Sequence, residues 1–186
     1  MSKYEIMVTL FTIVYGLMLT DLFFSFHKLI RKRKYIKWHW LPLLAAWYLF
    51  LIILKNWWDM TSFESSIEWM NIIYFLAYGH LLFLIFLAVS TVLPDDIQQN
   101  DISLRDYYFS NHRYFWGLMT SVVVLSIVIS SFKQLHDTAP VNYYNLLAAI
   151  IYIILLIVLT ISKKYLVHSV LLVLFVVLTI IEILNK

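Results

Sequence analysis

Residues 70–93 read MNIIYFLAYGHLLFLIFLAVSTVL, a stretch that contains no Asp, Glu, Lys or Arg. A helix that crosses a bilayer needs about 20 mostly apolar residues, whereas a barrel strand alternates apolar and polar side chains. Because lipid offers no partner to unpaired backbone groups, the run predicts a transmembrane helix. Five further segments share this character: 6–30, 41–58, 114–132, 146–162 and 167–184. The sequence therefore predicts an all-α polytopic bundle of six transmembrane helices.

The composition supports the same class of protein. Of the 186 residues, 62% are hydrophobic and 13% are charged, whereas soluble domains are about 45–50% apolar and about 25% charged. This balance excludes an ordinary soluble enzyme and a disordered chain. The connections between the spans are short, so residues 1–186 are expected to form a single transmembrane domain.

Enzyme signatures are missing from the chain. It has no cysteine, and the motifs H-E-x-x-H, G-x-S-x-G, the P-loop and G-x-G-x-x-G do not occur. We therefore expect neither catalysis nor a cofactor.

The distribution of Lys and Arg predicts the orientation. Ten of the 14 lie after the first, third and fifth spans: Lys28, Arg31, Lys32, Arg33, Lys34, Lys37, Arg105, Arg113, Lys163 and Lys164. Only Lys3, Lys55, Lys133 and Lys186 lie on the other side. Since basic loops stay in the cytoplasm, the chain is predicted to be a multi-pass protein of the bacterial inner membrane, with both termini outside.

Three ionisable side chains interrupt the spans and are candidates for an ion or proton path. Asp21 and His80 both lie at about 20 Å depth, counting 1.5 Å per residue, and such a pair suits a proton relay. The alternative is a buried polar contact that fastens two helices. Lys55 would form a cationic ring at the mouth of an oligomeric pore, or it would reach the interface and pair with Glu5, Asp59 or Glu68.

Two stretches of the chain are candidates for binding lipids or a partner. The first holds Arg31, Lys32, Arg33, Lys34 and Lys37, and the second runs from Pro94 to Arg113 and holds Arg105 and Arg113. Such clusters attract anionic headgroups at the cytoplasmic face or a soluble protein, although positive-inside topology also explains them. We do not expect nucleic acid as a partner. The Ser103…Asp106 spacing predicts a capped helix start, in a segment that would lie in the interface or dock a partner.

Four histidines fall at the predicted cytoplasmic interface: His27, His39, His112 and His168. Converging imidazoles bind Zn²⁺ or haem iron, but no H-x-x-x-H pair occurs, so no metal site is predicted. Whether the four meet is left open. In the first span Thr9, Thr12, Gly16 and Thr20 recur at helical spacing, which predicts a close helix contact.

A combination of short motifs resembles a group of small bacterial six-helix inner-membrane proteins. The motifs are GLMLTDLFFSFHKLIR at 16–31, LPLL at 41–44, WW at 57–58, DYYF at 106–109 and RYF at 113–115. The resemblance covers about the first two-thirds of the chain. Those proteins have no assigned activity, so the resemblance implies location and fold only.

Two functional hypotheses follow. In the first, a homo-oligomer conducts or moves an ion or small solute, with Asp21 and His80 lining the path. In the second, the chain is a non-transporting anchor or sensor subunit that binds a soluble cytoplasmic partner, as in a stress-response or phage-defence system.

Overall fold

A computed structural model describes residues 3–61, 72–95, 102–136 and 143–185. Within these ranges six α-helices follow in order: α1 (Lys3–Arg31), α2 (Trp40–Thr61), α3 (Ile72–Val92), α4 (Leu104–His136), α5 (Tyr143–Ile161) and α6 (Tyr165–Leu184). A 3-10 turn (Arg33–Tyr35) and the strand β1 (Ile36–Lys37) connect α1 to α2, and the strand β2 (Ile102–Ser103) precedes α4. The prediction of a helical bundle is confirmed.

Five of these helices, α1, α2, α3, α4 and α6, are long and apolar enough to cross a membrane. The apolar part of α5, Leu146–Ile161, is shorter. Length and composition thus support a membrane protein with five candidate spans among the described residues, one fewer than the sequence predicted.

The fourth helix begins ten residues before the predicted start of its span, at Leu104 instead of Tyr114. The backbone N–H of Asp106 donates to Ser103 Oγ at 3.3 Å, which confirms the predicted cap. Residues 104–113 are therefore the first turns of one continuous helix, about 50 Å long at 1.5 Å per residue. That continuity joins residues 104–113 to the fourth predicted span without a break.

An aromatic core joins four helices around Phe175 of α6. The centroid of its ring lies 6.0 Å from that of Tyr48, 6.1 Å from that of Trp116 and 4.8 Å from that of Tyr152. The hydroxyls of Tyr48 and Tyr152 form a hydrogen bond between α2 and α5. Aromatic rings bury large apolar areas and their polar groups require partners, so these contacts hold the centre of the bundle.

A chain of buried hydrogen bonds connects α4 to the start of α6. Trp116 Nε1–H donates to the Tyr108 hydroxyl at 3.0 Å, and that hydroxyl lies 2.9 Å from His168 Nδ1. His168 Nε2 lies 2.8 Å from the Ser162 carbonyl, in the turn between α5 and α6. Because a carbonyl only accepts, Nε2 carries the proton and Nδ1 accepts the Tyr108 proton. Every polar side-chain group in this series of hydrogen bonds therefore has a partner.

Replacement of Tyr108 by Phe should destabilise the bundle. The change leaves the Trp116 N–H and His168 Nδ1 unpaired, and each buried unpaired group costs about 1–3 kcal/mol. The free energy of unfolding, measured by titration with SDS in mixed micelles, should fall accordingly. Tyr114→Phe is the matched control, because Tyr114 is 53% exposed. Equal stability of the two variants would contradict the assigned role.

Candidate functional site

A short parallel strand pair joins the basic stretch 31–37 to the segment 94–113. In the register of β1 and β2, Ile36 pairs with Ile102 and Lys37 pairs with Ser103. Ile36 is 7% exposed, so the pair is anchored by a buried side chain. Two segments more than sixty residues apart thus form one end of the bundle.

Beside these strands, aromatic rings and an arginine form a cluster that we call the aromatic–arginine patch: His39, Trp40, Arg105 and Tyr165. The Arg105 guanidinium lies over the Tyr165 ring, 5.4 Å from its centroid, and Trp40 Nε1–H donates to the Tyr165 hydroxyl at 2.9 Å. The edge of the His39 ring meets Tyr165 at a centroid distance of 5.6 Å. The patch therefore unites three elements: the start of α2, the start of α4 and the start of α6.

The buried hydrogen-bond chain lies one helical turn below this patch. Arg105 precedes Tyr108 by three residues in α4, and Tyr165 precedes His168 by three residues in α6. Residues three apart are neighbours on a helix surface. The Tyr108–His168 bond thus sets the spacing at which Arg105 meets Tyr165.

The residues after α1 form a basic groove. The Lys32 N–H bonds the Lys28 carbonyl at 3.0 Å and the Tyr35 N–H bonds the Lys32 carbonyl at 2.9 Å, so the chain curls as it leaves the helix. The resulting groove has a volume of about 370 Å³ and is lined by His27, Ile30, Arg31, Lys32, Arg33, Lys34 and Tyr35. Four consecutive cationic side chains therefore border one concave surface.

Asp21 belongs to a charged cluster in the C-terminal half of α1. Asp95, just after α3, accepts a hydrogen bond from Ser25 Oγ at 2.6 Å and lies 3.5 Å from Lys28 Nζ. Both Asp95 and Lys28 interact electrostatically with Asp21. Asp21, Ser25 and Lys28 share one helix face, so Asp95 closes a cluster of two carboxylates and one ammonium.

His80 lies on an exposed face of α3. Its Nδ1 is 2.8 Å from the Leu76 carbonyl, one turn back on the same helix. In the described part of the chain, the residues that interact electrostatically with Asp21 do not include His80.

The groove between α1 and α3 has a volume of about 310 Å³ and an apolar lining: Leu10, Phe11, Val14, Phe75, Gly79, Leu82, Phe83 and Phe86.

Lys55 bridges two carboxylates near the opposite end of the bundle. Its Nζ lies 3.4 Å from Asp59 and 2.9 Å from Glu182 of α6. The expected pairing with Asp59 is confirmed, whereas the pairing with Glu182 was not predicted from the sequence. Glu68, another expected partner, lies outside the described residues.

The four histidines separate into three locations. The rings of His112 and His168 lie 5.5 Å apart in the core, whereas His39 is in the aromatic–arginine patch and His27 lines the basic groove. The His112 Nδ1 lies 2.6 Å from the Phe109 carbonyl, and His112 Nε2 has no partner among the described residues. The described ranges contain no group of three or more His, Asp or Glu that would hold a metal ion.

Sequence reasoning missed Asp95 and Tyr165 as partners. Asp95 is adjacent to Asp96 in the sequence, and only the fold brings it to α1. Tyr165 had no distinguishing pattern, because one Tyr among 13 in the chain carries no signal by itself.

No protein-family model, curated protein or solved structure matches this chain. The resemblance to small bacterial inner-membrane proteins stays a prediction.

His39 should titrate below its ordinary value. Burial and the nearby Arg105 charge lower the pKa of His39 from 6.5, and its Nδ1 accepts the Leu41 N–H at 3.3 Å. Since the unfolded imidazole binds a proton more readily, this group favours folding above about pH 6.5, and that contribution is lost as the pH falls through the folded pKa.

Arg105→Gln should raise the pKa of His39, because it removes a like charge. An NMR titration of the His39 ring in micelles measures the shift. Arg113→Gln, about 12 Å further along α4 at 1.5 Å per residue, is the control and should leave the pKa of His39 unchanged. A pKa that does not move in Arg105→Gln would refute the coupling.

Proposed function

We propose that this chain is a multi-pass anchor subunit of the bacterial inner membrane that docks an acidic soluble partner in the cytoplasm. One observation carries the proposal. Residues 31–37 and residues 94–113 are the two stretches predicted to bind a partner. They meet in the β1–β2 pair beside the aromatic–arginine patch.

The membrane arrangement we propose has six crossings. The whole of α5 has 19 residues, which is about 28 Å at 1.5 Å per residue and close to the thickness of the hydrocarbon core, about 30 Å. Six crossings place both termini on the outer side, in keeping with the ten-to-four distribution of Lys and Arg. The basic end of the bundle then faces the cytoplasm.

The chemistry of the patch suits a protein partner. Tyr, Trp and Arg dominate the energetically important positions of protein interfaces, and Trp40 is 40% exposed while it is held by Tyr165. Lys37 and Arg105 add positive charge, which favours a partner with an acidic surface. A rigid aromatic support also lowers the entropy that Arg105 would lose on binding.

The proposed subunit is a homo-oligomer. Thr9, Thr12, Gly16 and Thr20 are all on the exposed side of α1, and no neighbouring atom lies within 4 Å of where a Cβ would stand at Gly16. Thr12 accepts a hydrogen bond from Trp57 Nε1 of α2 at 3.3 Å, but the close approach expected at Gly16 is not made within the described chain. A second copy is the contact we propose for this face.

Ion or solute movement is the second candidate, and the Asp21 cluster favours it. Asp21 and Asp95 share the single ammonium of Lys28, so one carboxylate lacks a full counter-charge. A carboxylate in such a setting takes up and releases a proton easily. In this candidate, His80 would join the path only across an oligomer contact, because it faces outward from α3.

Charge reversal at Arg105 should abolish docking. Affinity capture of wild-type protein from detergent extracts should retain a partner that Arg105→Glu loses, with affinity at least about tenfold lower because like charges then face each other. Arg105→Lys should keep most of the binding, and Lys163→Glu, which reverses one charge at an exposed position before α6 and outside the patch, is the matched control. Identical sets of captured proteins for the wild type and Arg105→Glu would rule out docking through the patch.

Neutralising Asp21 tests the second candidate. If the chain moves protons, wild-type protein in liposomes should dissipate a pH gradient, and Asp21→Asn should slow the flux because the carboxylate can no longer accept a proton. His80→Gln reports whether the imidazole belongs to the same path. Undiminished flux in Asp21→Asn removes Asp21 from the mechanism, and absence of flux in the wild type removes transport.

A further inference from the structure

We infer that the basic groove after α1 is a binding site for one anionic phospholipid. The groove is concave and has a volume of about 370 Å³, which suits a headgroup. Its cationic side chains come from consecutive residues on a curled backbone. The inference rests on the membrane location proposed above, but it does not depend on docking through the aromatic–arginine patch.

The backbone holds the groove in shape at both ends. On one side, α1 continues to Arg31, and the carbonyl of Lys28 in its last turn accepts the N–H of Lys32. On the other side, Ile36 is buried and paired with Ile102. The intervening 3-10 turn therefore spans two fixed points, and the cations it carries are gathered before any ligand arrives, which lowers the cost of binding.

Several of these cations lack an internal counter-charge. Within the described residues, Arg31, Arg33 and Lys34 are not in contact with any carboxylate. By contrast, Lys28, one turn before the groove, is paired with Asp95. Arg guanidinium groups bind phosphate through two parallel hydrogen bonds, so Arg31 and Arg33 are the residues that we assign to the phosphate.

An apolar face of α1 leads directly into the groove and distinguishes a lipid from a free anion. Phe23, Phe26 and Ile30 recur at helical spacing, and each is 42–56% exposed. Ile30 also lines the groove. This face extends about 10 Å from Ile30 to Phe23 at 1.5 Å per residue, so an acyl chain would lie along it while the phosphate meets the arginines.

The test measures lipid binding to the full-length protein. Native mass spectrometry from an uncharged detergent should show one molecule of dioleoyl-phosphatidylglycerol bound in preference to dioleoyl-phosphatidylcholine. The double variant Arg31→Gln, Arg33→Gln should bind phosphatidylglycerol roughly 30-fold more weakly, from about 1 kcal/mol for each basic residue near an anionic headgroup. Its binding of phosphatidylcholine should not change.

The matched control is Lys163→Gln with Lys164→Gln, which removes the same charge from an exposed turn at the same end of the bundle. It should bind phosphatidylglycerol as the wild type does. Equal losses in the two double variants would overturn the site, because they would reflect net charge alone.

Two further measurements separate the lipid from other ligands and from misfolding. Excess inorganic phosphate should not displace phosphatidylglycerol, and displacement would reassign the groove to free anions. Ile30→Gln, which keeps every charge, should also weaken phosphatidylglycerol binding, and unchanged binding would contradict the acyl-chain track. The capture experiment with Arg105→Glu reports on docking by a different residue, so failure of either proposal is recognised separately.

Discussion

The hydrogen-bond chain from Trp116 through Tyr108 and His168 to the Ser162 carbonyl is the interaction on which the basic end of this bundle depends. Helices in apolar surroundings slide and rotate easily when only apolar side chains meet, whereas a buried polar contact is directional. Here it fixes the start of α6 against α4. The meeting of Arg105 and Tyr165 at the surface is a consequence of that register.

Charged groups are few in this chain, and the fold joins several of them across helices. Lys55 connects α2 to Glu182 of α6, and Asp95 connects the end of α3 to Ser25 and Lys28 of α1. A charge in an apolar setting is costly unless it is paired. Arg31, Arg33 and Lys34 have no such partner among the described residues. We therefore propose an anionic ligand for the groove that they line.

Much of the architecture could be predicted from hydrophobic runs, because a helix in lipid must satisfy its own backbone. The cap at Ser103 was equally visible, since Ser followed three residues later by an acidic residue is a local signal. The continuity of α4 with the span that was predicted to begin at Tyr114 was missed, because Arg105, Asp106 and Arg113 resemble a loop in composition. The expected contact at Gly16 was not found within the described chain, because residue size does not show which way a helix face turns.

By itself, the sequence determined the class of protein, the number of helices, their order and the clustering of basic residues between α1 and α2. These properties are local, since they follow from apolar length, capping and charge along the chain. Only the tertiary structure decided that Ile36 pairs with Ile102, that Asp95 reaches Ser25, that Lys55 reaches Glu182 and that His80 lies on an exposed face of α3. Those outcomes depend on the rotation and register of helices packed far apart in sequence, and apolar periodicity alone specifies neither.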